Sequence, residues 1–187
     1  EILFEKRQGY FTGYLGYTWG YTWRKFPGFN TDPTIQLSSG ETAKARFYPP
    51  KYDRRHDVNL ILNYSISPKW KLTGAWVYAT GQAYTQVLGR YALLDDPFGA
   101  SEFNNAFTVG KVNASRLPSY HRMDFSAQRT SSLFGMQTLL QLQIINVYNR
   151  RNVWFQNFDF DENPVKQTDV TLLPIIPAVS ITFNYPK

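Results

Sequence analysis

Phe11-Thr-Gly-Tyr-Leu-Gly-Tyr-Thr-Trp-Gly-Tyr-Thr-Trp23 decides the fold. Its odd positions read Phe11, Gly13, Leu15, Tyr17, Trp19, Tyr21 and Trp23, apolar at six of seven places. The even positions read Thr12, Tyr14, Gly16, Thr18, Gly20, Thr22 and Arg24, apolar at one of seven. A period of two separates these sets cleanly, whereas a helical period would mix them, so this stretch is a β-strand with one greasy face.

The same alternation recurs along the chain. Val58, Leu60, Leu62, Tyr64 and Ile66 alternate with Asp57, Asn59, Ile61, Asn63 and Ser65. Trp70, Leu72, Gly74, Trp76 and Tyr78 alternate with Lys71, Thr73, Ala75, Val77 and Ala79. Shorter stretches set Met123, Phe125 and Ala127 against Asp124, Ser126 and Gln128, and Leu140, Leu142 and Ile144 against Gln141 and Gln143. Last, Ile175, Pro177, Val179, Ile181, Phe183 and Tyr185 oppose Ile176, Ala178, Ser180, Thr182 and Asn184. Six strands follow, and Glu1 to Glu5 reads as the tail of a seventh, ending in the polar turn Lys6-Arg7-Gln8-Gly9. Several reach about ten residues, longer than the usual ~5–6 and matched to the ~9–11 a tilted strand needs to cross a bilayer.

The connections alternate short and long. Ser67-Pro68-Lys69 and a few residues around Ser131, Ser132 and Gly135 make tight turns, while Lys25 to Arg55, Gly89 to Pro118 and Asn149 to Asp169 make long, irregular links. Short turns on one side and long loops on the other are the asymmetry of transmembrane β-barrels. The chain has no cysteine, which excludes disulfides and Cys chemistry, and no apolar run approaching ~18 residues, which excludes a membrane-spanning helix. Aromatic residues nevertheless make up 17% of 187 residues at a mean hydropathy of −0.40. Rings gathered on one strand face reconcile the two figures: that face meets lipid, and the Thr, Asn, Gln, Ser and Gly face meets a wet lumen. Trp19, Tyr21, Trp23, Tyr64, Trp70, Trp76 and Tyr78 are the candidates for an interfacial girdle. A soluble β-sandwich is the competing arrangement, but it leaves no use for so many rings on strands with so few charges. Bacterial barrels begin at ~8 strands, because an open edge in lipid strands backbone groups without partners. The chain therefore reads as the last part, residues 1–187, of a larger barrel, truncated at Glu1 and complete at Lys187, its missing strands supplied by an unseen part of the same polypeptide or by a partner.

Five stretches resemble the C-terminal third of TonB-dependent outer-membrane receptors, of the type with a carboxypeptidase-regulatory-like N-terminal module. They are Tyr10 to Trp19, Tyr52-Asp-Arg-Arg-His-Asp-Val-Asn-Leu60, Leu117-Pro-Ser-Tyr-His-Arg-Met-Asp-Phe-Ser126, Ile145-Asn-Val-Tyr-Asn-Arg-Arg-Asn152 and Pro174 to Phe183, in the family's order. The resemblance implies a 22-stranded barrel with a plug domain inside. It also implies an inner-membrane TonB complex that works the plug to admit ferric siderophores, cobalamin or glycans. Phe183 and Tyr185 then correspond to the family's C-terminal assembly signal, although Pro186-Lys187 follow where an aromatic residue usually ends the chain.

Residues that could carry chemistry are few. His56 and His121 each stand at the loop-side start of a strand, with another strand between them, so the rings lie about two strand spacings (~10 Å) apart. No Ser or Asp is placed to complete a nucleophile, base and orienter, and hydrogen bonding at the rim is the expected use. The first long link carries seven Lys/Arg (Arg24, Lys25, Lys44, Arg46, Lys51, Arg54, Arg55) against Asp32, Glu41 and Asp53, a net of +4. The second sets Arg90, Lys111 and Arg116 against Asp95, Asp96 and Glu102; the third, Arg150, Arg151 and Lys166 against Asp159, Asp161, Glu162 and Asp169. Arg54, Arg55, His56, His121, Arg150 and Arg151 are thus the candidate contacts at the outer rim. Their cations suit an anionic ligand, lipid-A phosphates of lipopolysaccharide, or neighbouring acids. Phe158-Asp-Phe-Asp-Glu162 lacks the glycine and spacing of a calcium loop. A net charge of +6 does not point to nucleic acid, because the rings lie on the face away from the charges. No enzyme, cofactor or metal is expected. The expected role is import of a scarce ligand across the outer membrane, with a passive porin-like channel or a structural barrel subunit of an envelope assembly as alternatives. The expected partners are membrane lipid and lipopolysaccharide, the remaining barrel and plug, the TonB complex, and a surface lipoprotein or other envelope subunits.

Overall fold

The computed structural model describes residues 1–26, 46–92, 105–133, 135–162 and 164–184. In chain order their strands are β1 (Ile2–Lys6), β2 (Phe11–Trp19), β3 (His56–Ser67), β4 (Trp70–Ala79), β5 (Ala83–Tyr84), β6 (Val87–Ala92) and β7 (Asn105–Val109). There follow β8 (Ser115–Arg116), β9 (Tyr120–Leu133), β10 (Met136–Ile145), β11 (Val153–Asp159), β12 (Lys166–Thr171) and β13 (Ile176–Asn184). The protein is all-β and antiparallel. Seven strands form one sheet in the order β1-β2-β3-β4-β9-β10-β13, and three two-stranded ribbons (β5-β8, β6-β7, β11-β12) sit in the long links.

All seven wall strands expected from alternation are present, with corrected bounds. The strand that begins at Phe11 ends at Trp19, not Trp23: Gly20 N–H still donates to Arg55 O in the β2-β3 register, but at Thr22 the N–H goes to the Asp53 carboxylate in place of a backbone oxygen. The fourth runs Tyr120–Leu133 rather than Met123 to Gln128. Ser131 and Ser132 are strand residues paired with Thr138 and Gln137, and Gly135, at φ 76°, turns the chain. The last wall strand begins at Ile176 and is described to Asn184; Tyr185 lies outside the described residues. The links are not irregular throughout, since β5 to β8 and β11-β12 fold within the second and third. The alternation of short and long holds. At the β3-β4 turn Ser67 Oγ accepts the N–H groups of Lys69 and Trp70, with Pro68 between.

Lys6, Gly13, Leu62, Gly74, Phe125, Ile144 and Pro177 pair successively across the sheet as one row. Six residues separate Lys6 from Gly13 around the first short turn, eleven separate Leu62 from Gly74, and eighteen separate Phe125 from Ile144. On the loop side, β2 and β3 extend six residues past the row, β4 and β9 five, and β10 and β13 one. Both ends of the sheet therefore slant the same way. The short turns recede by about three residues per pair of strands, and at ~3.3 Å per residue and ~4.8 Å between strands the strands lie roughly 45° off the line of turns.

The row also sorts the side chains. Residues in phase with Leu62 form an apolar face, and those in phase with Asn63 a polar one. On β3 the apolar Leu62 (53% exposed) and Ile66 (51%) are open, whereas Asn63 and Ser65 are partly covered. On β9 Phe125 is open and Ser126 buried; on β10 Leu142 is open and Gln141 and Gln143 partly covered. Covered polar side chains bond to each other, Thr73 Oγ1 to Asn63 Oδ1 at 2.8 Å and Gln128 Nε2 to Gln141 Oε1 at 3.1 Å. This inverts a soluble protein. Among the described residues the buried apolar ones are Tyr48, Ala79, Ala83 and Leu117, all at the loop end and none between layers.

Candidate functional site

The loop end is where polar groups converge. In the first link, Arg24 and Tyr48 pair backbone to backbone, Arg24 Nη2 donates to Tyr52 Oη at 2.9 Å, and the guanidinium lies over the same ring. Asp53, buried at 3% exposure, is the junction between this link and the second. Its carboxylate accepts Thr22 N–H and forms an ion pair with Arg116, whose guanidinium also reaches Asp53 O. Beside it Asn113 Nδ2 donates to Pro49 O at 2.9 Å. Gly81 makes this junction possible, because a Cβ there would fall 1.6 Å from Leu117 O.

The stretch Ile145 to Asn152 builds a second junction. Asn146 (1% exposed) and Asn149 take left-handed backbone, φ 57° and 52°, a region asparagine tolerates. Asn146 N–H donates to Asp124 Oδ1, its Nδ2 to Arg150 O and Leu173 O, and its Oδ1 accepts Arg150 N–H. Asn152, also buried, brackets His121: its Oδ1 accepts His121 N–H and its Nδ2 donates to His121 O. Asn149 Oδ1 accepts Ile175 N–H, and Leu172 N–H donates to Asn152 O. Both feet of the third link are thereby pinned to the sheet.

Further contacts join the second and third links. Tyr84 Oη donates to Gln156 Oε1 at 2.7 Å, Arg90 pairs with Asp161 and reaches Phe160 O, and the Phe107 and Phe160 rings lie 5.7 Å apart. The described parts of the three links thus form one crown.

The expected rim residues divide into two groups. Arg150 is spent on structure, donating to Ser119 O and Asn152 Oδ1. His56 Nδ1 sits 2.9 Å from Tyr17 Oη and His121 Nδ1 2.8 Å from Tyr148 Oη, so each histidine is tied to a tyrosine rather than to the other. Partial burial pushes the Tyr148 phenol up from its ordinary value, so it stays a neutral hydroxyl beside His121. Arg55 lies over the Tyr21 ring at 4.8 Å, and its backbone N–H donates to Thr80 Oγ1. Arg54 lies over Tyr120 at 5.9 Å and edges a cavity of about 90 Å³ between the links, lined also by Thr80, Gln82, Tyr120 and Trp154. Arg151 is exposed and makes no hydrogen bond, ion pair or ring contact among the described residues. Lys44, Asp32, Glu41, Asp95, Asp96 and Glu102 lie outside the described residues.

The acidic run does not converge. Asp161 pairs with Arg90, Glu162 with Lys166, and Asp159 caps the Asp161 N–H. Of the girdle candidates, Trp19 and Trp70 mark strand ends and Tyr78 is one residue short of one, while Trp76 stands three residues in from the end of β4 and stacks near Tyr78 at 6.1 Å. Tyr64 stacks on Phe11 at 4.3 Å; Tyr21 and Trp23 lie past the end of β2. Sequence reasoning passed over Asp53, Arg116, Asn146 and Asn152 as site builders; the spacing of Asn146, Asn149 and Asn152 was the available signal.

The family models, the curated proteins and the solved structures compared with this chain contain no match to it.

Proposed function

We propose that this chain is wall and outer loops of a transmembrane β-barrel of the outer membrane, in a TonB-dependent receptor that imports a scarce ligand such as a ferric siderophore, cobalamin or a glycan. The observation that carries the membrane reading is the burial on β3, β9 and β10, where apolar side chains stand open and polar ones are covered, on a sheet with no second layer among the described residues. Lipid is the surroundings in which that arrangement is favourable, since each exposed apolar side chain would forfeit ~1.5–3 kcal/mol in water relative to burial. The slant of the turns supports it, because barrel closure demands strands tilted by ~35–45°. The outer edges of β1 and β13 have no strand partner among the described residues, and in lipid each would need a neighbouring strand, from the same polypeptide or another. The import reading rests on the resemblance of the five quoted stretches and on the crown, which offers Arg54 and its ring-lined cavity on the loop side.

Uptake tests the function. Cells carrying the intact barrel are supplied with a ferric catecholate siderophore, cobalamin or an oligosaccharide as probes, with and without collapse of the proton gradient. Uptake of one probe that stops on collapse is expected; uptake that persists makes the barrel a passive channel.

A further inference from the structure

We infer that the short-turn end of the apolar face seats the headgroup phosphate of an anionic glycerophospholipid, with Arg129, laid against Trp70, as its principal cation. The inference rests on the reading that this face meets lipid. Across the described seven-stranded sheet, the polar face carries Glu5, Asp57, Lys71, Arg122 and Asp124, with both signs present. The apolar face carries no Asp or Glu; its Lys and Arg are Lys6 and Arg129. The greasy face is therefore also a cationic one.

Arg129 has a particular setting. It stands directly opposite Trp70 across the β4-β9 pair, and its guanidinium carbon is 5.6 Å from the indole ring. The ring holds the planar group flat while its N–H edge stays open, and no carboxylate among the described residues meets it. Thr130 N–H donates to Lys69 O at 2.8 Å, which holds the exposed Lys69 of the β3-β4 turn against the residue after Arg129. On the other side of Arg129, its register neighbours Leu140 and Ile181 continue the apolar face, as do Leu72 and Ala127 one step inward. A lipid whose acyl chains run along Leu72 and Leu140 brings its phosphate to the Arg129 fork. Lys69, opposite Thr130, falls in phase with Lys71 on the polar face, so Arg129 is the cation here, and with no acid on its face it favours a headgroup of net negative charge over a zwitterionic one. Phosphatidylglycerol is the simplest member of that class.

The intact barrel that contains this chain is reconstituted in nanodiscs of phosphatidylcholine seeded with phosphatidylglycerol, extracted in mild detergent, and its retained lipids counted by native mass spectrometry. The wild type is expected to retain phosphatidylglycerol preferentially. R129A should lower that preference about fivefold, the effect of one surface cation. R129K, which keeps the charge and loses the flat stacking, should fall between. R7A, on the β1-β2 turn and away from Trp70, should match the wild type. Equal retention of the two lipids by the wild type, or an R129A chain that keeps its preference, overturns the inference while leaving the membrane reading intact. A lipid-free species of doubled mass, with the face covered by a second copy, overturns both, as does an intact barrel that never enters the disc.

Discussion

Asn146 shows how much rests on single buried amides. It is the largest fully buried side chain among the described residues, and its two polar atoms serve three partners while its backbone sits at positive φ. Asn146→Ala removes those bonds and strains the backbone, leaving buried groups unsatisfied at ~1–3 kcal/mol each. Asn146→Gly relieves only the strain. Thermal unfolding in detergent should place both variants below the wild type, with alanine the lower. Asp53→Ala leaves the Arg116 guanidinium without its carboxylate, and breaking such a pair typically costs ~3–5 kcal/mol. Faster amide exchange at Thr22 and around Arg116, with the wall strands unchanged, would report it. For ligand capture the telling residue is Arg54, since Arg150 is already committed to carbonyls. R54A should weaken capture of an anionic probe by roughly tenfold, the worth of a charged hydrogen bond; capture unchanged with insertion intact would remove Arg54 from the ligand path. These roles were poorly legible beforehand. A buried asparagine and a surface asparagine look alike in a sequence, and what buries Asn146 is a carbonyl from Leu173, far along the chain.

Strands were legible in proportion to how cleanly one face is apolar. Residues 11–19 and 57–79 announce themselves. The ends of β9 do not, because the polar run Tyr120, His121 and Arg122 at the strand entry hides the alternation and Ser131-Ser132 read as a turn, while pairing with β4 and β10 keeps them extended. The ribbons were hidden for a different reason. β5 and β8 are two residues each, joined across a gap of about thirty, and β11 loses its alternation at the irregularity between Val153 and Phe155. The sidedness of the wall strands has a direct test. Leu62→Arg puts a charge on the apolar face in the middle of β3, which in a bilayer costs ~2–4 kcal/mol. Asn63→Arg puts the same charge one residue away on the polar face. Assembly into membranes, followed by fractionation, should fall sharply for the first and stay near wild type for the second. A reversed order would place the rings inward. Gly13 constrains the same region: its φ is 150°, and a Cβ there would lie 2.0 Å from Ile61 O, so Gly13→Ala should loosen the β2-β3 pairing and lower the yield of assembled protein.

The whole molecule has a rigid wall and a tied crown, and the ties differ in kind. Asp53–Arg116 is shielded, whereas Arg90–Asp161 has an acid that is 79% exposed and belongs to the class of pairs worth ~0–1 kcal/mol and weakened by salt. Limited proteolysis in rising salt should therefore nick the third link before the first. The alternation of short and long links carried the general plan of the molecule in the sequence. The slant of its turns did not show there, because it depends on which residue faces which across seven strands. The stapled feet of the third link carry a further consequence. Asn146, Asn149 and Asn152 on one side meet Leu172, Leu173 and Ile175 on the other, so residues 153–171 leave and return through a single narrow gate. Whatever hangs from that gate can be exchanged. An engineer can graft a foreign segment in its place while the wall beneath keeps its register.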